Sequence, residues 1–405
     1  MNYGDIAQSR LTAIAGCSLR GDGVTRLPFT PEHRAALEHI LSWTAAAGLQ
    51  AEMDAAGTLI ARRGGPGEGK TFLIGSHQDS VPNGGRYDGI MGIVLGCLAL
   101  EKLRNDGVSL PFAVEVFAFA DEEGVRFPTA LLGPRALAGT LNTRDLVRAD
   151  RDGITLGAAL AAFGGDPAHI PALRRDPTRI LGYLEAHIEQ GPVLERKSVP
   201  LGVVTGICGI ERNALRFTGT TGHAGTVPMA DRRDALVAAS RFITAVSDHA
   251  SRTNAIRATV GTIKVAPNAV NAIPDIAEFP LEIRSVDDAA RASFADRMHS
   301  MGNDIAAASG LTFDMDRTYL QPAVACDPVL TNTLAKAIAD SKYPAVALPS
   351  GATHDASAMS DLCPIAMLFV RCKNGLSHHP DEYASAADMG AAVDAIAEFL
   401  RSLAS

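Results

Sequence analysis

The chain has 405 residues, 47% of them hydrophobic and 20% charged, and a formal net charge of −8. That length exceeds a typical single core, so two domains are the first expectation. It contains neither the run of about 18 apolar residues that a membrane span needs nor the long basic run of a nucleic-acid footprint. The N-terminus, MNYGDIAQSRLTAIAG, lacks the basic and apolar regions of a secretory signal. Cys17, Cys97, Cys208, Cys326, Cys363 and Cys372 form no C-x-x-C pair. They read as reduced thiols of a cytoplasmic protein rather than a disulfide frame.

The first strong element is FTPEHRAALEHILSWTAAAGL, with Thr30 as N-cap and Pro31 in the first helical position. Two short apolar runs follow, TFLIGS (71–76) and AVEVFAFA (113–120), with a largely buried helix over IMGIVLGCLALEKLRN (90–105) between them. Strand, helix, strand with near-continuous apolar strands is the pattern of a parallel sheet. YLEAHIEQG, LGVVTGI and PIAMLFVR read as further strands of that kind. The stretch 166–180 is a proline-punctuated loop. From about Asn213 to Thr318 the order becomes strand, helix, strand, strand, helix, strand, with IRATVGTIKV taken as one strand. This is the split βαβ order of a ferredoxin-like sheet. The expected fold is therefore α/β: a mixed, largely parallel sheet with helices on both faces (residues 1–212 and 321–405), interrupted by an inserted α+β domain (213–320).

Ligands of open α/β sheets bind outside the carboxyl ends of the strands, and unusual polar residues gather there. GSHQDSVPNGGRYDG places His77, Asp79 and Asp88 after one strand, and DEEG places Asp121, Glu122 and Glu123 after the next. HIEQG carries His187, and NGLSHHPDE carries His378 and His379 near the last strand. Imidazole and carboxylate without cysteine suit zinc, manganese or cobalt. If one carboxylate bridges, two ions share the set. Adjacent Glu122 and Glu123 point opposite ways from an extended strand, so one is expected to ligate while the other serves as general base. A lone histidine or a glutamate pair is more often a solvated surface feature. It is the joint placement at four strand ends that points to a metal-dependent hydrolase. A metal-free binding protein and a purely structural dimerising module are the competing expectations.

The chain resembles the M20 metallopeptidase clan, and within it the amidase/hydantoinase/carbamoylase branch. GSHQDSVPNGGRYDG, DEEGVRF, HIEQGPVLE, TGHAGTVPM with RRDAL, PNAVNAIP, SGATHDA and GLSHHPDE occur in family order along nearly the whole chain. The resemblance implies a binuclear amidohydrolase acting on a linear C–N bond of a small carboxylate substrate. An N-carbamoyl-L-amino acid is the first expectation, then allantoate or another ureido acid, then an N-acyl amino acid or amide conjugate. It implies His77, His187, His378 and Glu123 as ligands of two divalent ions (zinc first, then manganese, cobalt or nickel), Asp88 as the bridge and Glu122 as the general base. Asp79 would orient the His77 imidazole. The inserted domain would be a lid and dimerisation domain, offering His223 to the partner subunit's site as a transition-state stabiliser. Gln190, Asn271 and Arg284 would contact substrate, Arg284 as a fork on its carboxylate. His354 and Asp355 would play a supporting role. Gln78, Glu282, Ile210 and Thr353 depart from the family pattern; none touches the ligand set, and Gln78 is the residue to watch for substrate choice.

Overall fold

The computed structural model of the chain describes residues 2–63 and 69–404. Two compact units are present, one made of Met1–Thr205 with Cys326–Ser405 and the other of Gly206–Ala325.

The strands in chain order are β1 (Gln50–Met53), β2 (Leu59–Arg63), β3 (Thr71–His77), β4 (Ala113–Phe119), β5 (Ile180–Ile188), β6 (Leu201–Ile207), β7 (Gly209–Thr218), β8 (Arg257–Thr259), β9 (Lys264–Ala266), β10 (Ile276–Ser285), β11 (Thr312–Gln321), β12 (Val324–Ala325), β13 (Ala345–Ser350) and β14 (Ile365–Val370). The larger sheet runs β1-β2-β4-β3-β5-β14-β6-β12, with β13 paired to β6. Its centre, β4-β3-β5-β14, is parallel, whereas β1, β2 and β6 join antiparallel. LGVVTGI, expected as another parallel strand, is thus antiparallel to β14. Residues 189–200, with the short helix Val193–Arg196, connect it to β5, and β14 lies between the two strands in the sheet.

Local chemistry accounts for the main helices. Thr30 accepts a hydrogen bond from the His33 backbone N–H and Pro31 opens the helix Pro31–Ala46, as a capped start with proline at its first position should. The helix Ile90–Asn105 is buried over nearly its whole first three turns, the signature of a crossover helix lying inside the core. It connects β3 to β4 on one side, and the chain then returns to β5 on the other side of β3. That reversal makes the carboxyl ends of β3 and β5 a topological switch point, where such sheets open a crevice.

The second unit has the sheet order β11-β7-β10-β8, with β9 also on β10, and all its pairings are antiparallel. Its helices Ala235–Ser251 and Asp288–Ser309 bury Phe242, Phe294 and Met298 with Leu215, Phe217, Phe279 and Ile283 of the sheet in a separate core. The expected strand IRATVGTIKV is two strands, β8 and β9, broken between Thr259 and Lys264. The unit is also wider than 213–320, because β7 starts at Gly209 and β11 runs to Gln321.

Candidate metal centre

His77 is the last residue of β3 and His187 the penultimate residue of β5. Ile74 pairs with Leu184, so continuing that register sets the two histidines side by side, and their rings lie 5.8 Å apart. Each imidazole is held through Nδ1: His77 at 3.0 Å from the Asp79 carbonyl oxygen and His187 at 2.9 Å from the Ile188 carbonyl oxygen. With Nδ1 as donor, both Nε2 lone pairs turn to one place, as metal-binding histidines require.

That place is Asp88. Its Oδ1 lies 3.3 Å from His77 Nε2 and 3.1 Å from His187 Nε2. Its Oδ2 lies 3.6 Å from His378 Nε2, which is in turn 3.7 Å from Glu123 Oε1. Donors about 2.0–2.1 Å from a tetrahedral zinc sit roughly 3.3–3.4 Å from each other, so these separations fit a shared ion. Two three-residue groups, His77–Asp88–His187 and Asp88–Glu123–His378, each bring one donor atom per residue within 4.8 Å of the others. Asp88 belongs to both, one oxygen to each. Glu123 Oε1 is buried without a hydrogen-bond partner, as are both oxygens of Asp355, and an unpaired buried acceptor is costly unless a cation answers it. The residues present fit a pair of divalent ions.

Electrostatics agree. Burial would lower His77, but the Asp88 hydrogen bond and the charges of Glu122 and Asp79 outweigh it and hold the imidazole well above its ordinary range. Burial would raise Asp88, yet His187 and His77 keep it well below the usual carboxylate range. Burial, with neighbouring carboxylates, pushes Glu122 well up and Glu123 to about 8. The site is a buried excess of negative groups, the field that a multivalent cation relieves.

The geometry corrects the argument used to divide the two glutamates. They do not continue β4, which ends at Phe119. They lie in a bend, and carboxylate oxygens of both come within 4.8 Å of a His77 nitrogen. What separates them is company: Glu123 faces His378 and Asp88, and Glu122 does not.

Asp79 touches both His77 and the glutamate bend, with Oδ1 3.7 Å from His77 Nδ1. Its carboxylate accepts the backbone N–H groups of Glu122 (3.1 Å) and Glu123 (3.2 Å), so it fixes the glutamate bend, while its main-chain oxygen orients His77. Glu382, which the sequence reading passed over, does the same for the bridge. Its Oε1 accepts from Tyr87 N and Asp88 N, both at 2.9 Å, and its Oε2 accepts from Ser377 Oγ at 3.2 Å. Gly85 makes room for it, since a Cβ there would come within 2.3 Å of the Glu382 carboxyl. Gly89 is required for a similar reason: a Cβ would sit 2.4 Å from the His77 ring. The signal in the sequence was the second acidic residue of NGLSHHPDE, four residues beyond His378.

Gln190 stands at the cluster, with Nε2 donating to Asp88 Oδ2 at 2.8 Å and to Ser377 Oγ at 3.1 Å. Gln190 and His378 both hold φ of 56°, a left-handed conformation that few residues other than glycine adopt. His379 belongs to neither group; its Nδ1 accepts from Asp381 N at 3.1 Å. His354 is buried, its Nε2 2.7 Å from Ser350 Oγ and its ring edge-on to His187 at 4.7 Å. Gln78 is fully buried, its Nε2 3.4 Å from the Ala118 carbonyl oxygen. Gln78 N continues the β-ladder by donating to Phe119 O, so alternation turns its side chain away from His77, and the expected hand in substrate choice is not supported.

The other candidates are in the second unit. His223 is exposed and its Nδ1 accepts from Gly225 N at 3.0 Å. Asn271 is exposed, with its carbonyl oxygen bound by Ala224 N. Thus the two loops carrying them are zipped together, with a bridge between His223 and Ala272. Arg284 donates from Nε to Glu282 Oε1 at 2.7 Å, and Glu282 also accepts from Arg212 Nε at 2.7 Å. Glu282, one of the departures, therefore holds Arg284.

Residues 73–402 match a family model, Peptidase family M20/M25/M40. An N-carbamoyl-L-amino acid amidohydrolase of Geobacillus stearothermophilus is 39% identical over 367 residues, covering 90% of each chain. An allantoate deiminase of Arabidopsis thaliana is 36% identical over 430 residues, covering 98% of this chain and 82% of its own. Among solved structures, an amidase of the hydantoinase/carbamoylase family from Burkholderia multivorans superposes with a TM-score of 0.92 at 32% identity, covering 99% of this chain and 98% of that one.

Proposed function

Because the chain belongs to peptidase family M20/M25/M40, we propose that it is a binuclear-metal-dependent amidohydrolase cleaving the ureido C–N bond of N-carbamoyl-L-amino acids. The observation that carries this reading is the division of Asp88, Oδ1 toward His77 and His187 and Oδ2 toward His378. In it, His77, Asp88 and His187 would hold one ion and Asp88, Glu123 and His378 the other. Zinc is the first candidate, since nitrogen and carboxylate donors at tetrahedral spacing suit it; manganese, cobalt and nickel accept the same set.

Divalent ions in such a site polarise the carbonyl and lower the pKa of the attacking water. Glu122 takes the proton of that water and delivers it to the leaving nitrogen. Its position beside His77 and Glu123, outside the second donor group, supports that role. His223, donated by the partner subunit of a homodimer, stabilises the developing oxyanion. Arg284, Asn271 and Gln190 hold the substrate, Arg284 on its carboxylate. The unit Gly206–Ala325 acts as lid and dimerisation domain. The carbamoyl group leaves as ammonia and carbon dioxide, and the free amino acid remains. The enzyme works in the cytoplasm; no helix among the described residues is long and apolar enough to cross a membrane.

Allantoate, also a ureido acid, is the second reading, because allantoate deiminases stand beside carbamoylases among the relatives. An ammonia- and amine-release screen over N-carbamoyl-L-amino acids, allantoate, N-carbamoyl-β-alanine and N-acyl amino acids tests the assignment. Turnover highest with N-carbamoyl-L-amino acids is expected. Turnover highest with allantoate transfers the assignment to it, and no turnover on any of them overturns the reading.

A further inference from the structure

The larger sheet has a second polar cavity, at the end opposite the metal donors. It measures about 290 Å³ and is lined by Arg62, Thr71, Leu73, Glu115, Arg174, Arg175, Asp176, Arg179 and Ile180. That is near the lower edge of small-molecule sites, about 300–1,000 Å³. Thr71 and Ile180 are the first residues of β3 and β5, and they pair with each other. At about 3.3 Å per residue the cavity lies roughly 20 Å along β3 from His77, so it is separate from the catalytic end.

Its charge is unbalanced. Among the described lining residues, with Asp176 and Arg179 set against each other, the guanidinium groups of Arg62, Arg174 and Arg175 face the single carboxylate of Glu115. Glu115 is 2% exposed. Arg62 stands directly across from it on β2, with Nε 3.6 Å from Glu115 Oε1, and Arg175 Nη2 is 3.3 Å from Oε2. Neutralising one buried carboxylate takes one guanidinium. Here two approach it and neither closes a good bond, for Arg62 Nε and Glu115 Oε2 are both buried without a hydrogen-bond partner. Leaving such atoms unpaired is costly. Glu115 thus holds neither guanidinium tightly, and the partly exposed faces of Arg62 and Arg175 can turn to an oxyanion in the cavity.

The rim is built rather than loose. Arg175 N donates to the Leu137 carbonyl oxygen at 2.9 Å. The stem of Arg174 lies against Gly139, where a Cβ would come within 2.7 Å of Arg174 Cδ. Arginine forks match the oxygens of phosphate geometrically as well as electrostatically.

We propose that this cavity binds a phosphate-class oxyanion, held by Arg62, Arg174 and Arg175. Glu115 is the internal counter-charge that keeps Arg62 and Arg175 in position and competes with the anion for them.

The test is calorimetric titration of the metal-loaded full-length protein at low ionic strength, where charge pairing is least screened. Inorganic phosphate is the probe, with glycerol 1-phosphate in a parallel arm. Saturable one-site binding is expected, weakened about tenfold in Arg174→Ala, the loss of one charge-assisted hydrogen bond. Arg174 is exposed, so this variant leaves the fold and the basal turnover intact. Glu115→Gln, which removes the competing charge, should bind phosphate more tightly than the parent. Binding of phosphate alone assigns the free ion, and binding of both probes assigns a monoester headgroup; each supports the site. Absence of saturable phosphate binding overturns the proposal. So does binding that Arg174→Ala leaves unchanged, which would place the anion elsewhere, as at the metal donors.

Discussion

The donors at the sheet's carboxyl ends and the candidate recognition residues of the second unit are built on opposite principles. His77, Asp88 and His187 are all buried, and each is held by neighbours that leave it one direction to face. His223 and Asn271 stand exposed on loops. Rigid preorganisation suits groups that must hold charge at fixed separation, whereas exposed loop residues suit groups that meet a substrate and release it. Substitutions in the two regions should therefore fail differently, the first through metal or proton transfer and the second through turnover and KM with metal retained.

Glu122→Gln should give the largest effect, cutting kcat by about 10²–10⁴-fold, the range for a lost general base. Metal content should stay at the parent level; loss of metal would make Glu122 a ligand and erase the distinction from Glu123. His223→Ala should lower kcat by about 10²–10³-fold, as for an oxyanion donor. Its metal content and that of the parent should match by elemental analysis. If the ions leave, the two regions are not separate in function.

Glu382→Ala tests how far the rigidity around Asp88 matters. Loss of the carboxylate that accepts Tyr87 N and Asp88 N should weaken metal affinity about 10–100-fold, read by competition with a chelator. A merely structural role would lower Tm and leave that affinity alone. Arg284→Lys should raise KM about tenfold with little change in kcat, as expected for losing a forked bond to a substrate carboxylate. An unchanged KM would remove Arg284 from recognition.

Several candidate donors were legible because they sit at or just past strand ends that hydrophobic patterning marks locally: His77 after TFLIGS, Glu122 and Glu123 after AVEVFAFA, His187 within YLEAHIEQG. The parallel centre of the sheet was legible for the same reason, as was the order of the second unit except for the break that divides IRATVGTIKV into β8 and β9. What was hidden depends on contacts between distant residues. Glu382 binds N–H groups almost three hundred positions earlier, and no local pattern reports that. The carboxylate of Asp79, 3.7 Å from His77 Nδ1, also reaches across to the bend after β4. The short strands β1 and β2 were missed because four or five residues give little periodicity. Gln78 is turned inward by the alternation that continues beyond His77.

Metal stoichiometry of the purified protein, beside Asp88→Ala and His187→Ala, tests the shared carboxylate most directly. After dialysis against buffer with zinc and then without it, the parent should retain two ions per chain. His187→Ala should lose the ion next to His77 alone, and Asp88→Ala should lose both. An Asp88→Ala protein that keeps two ions, or a parent that binds at most one, would contradict the account.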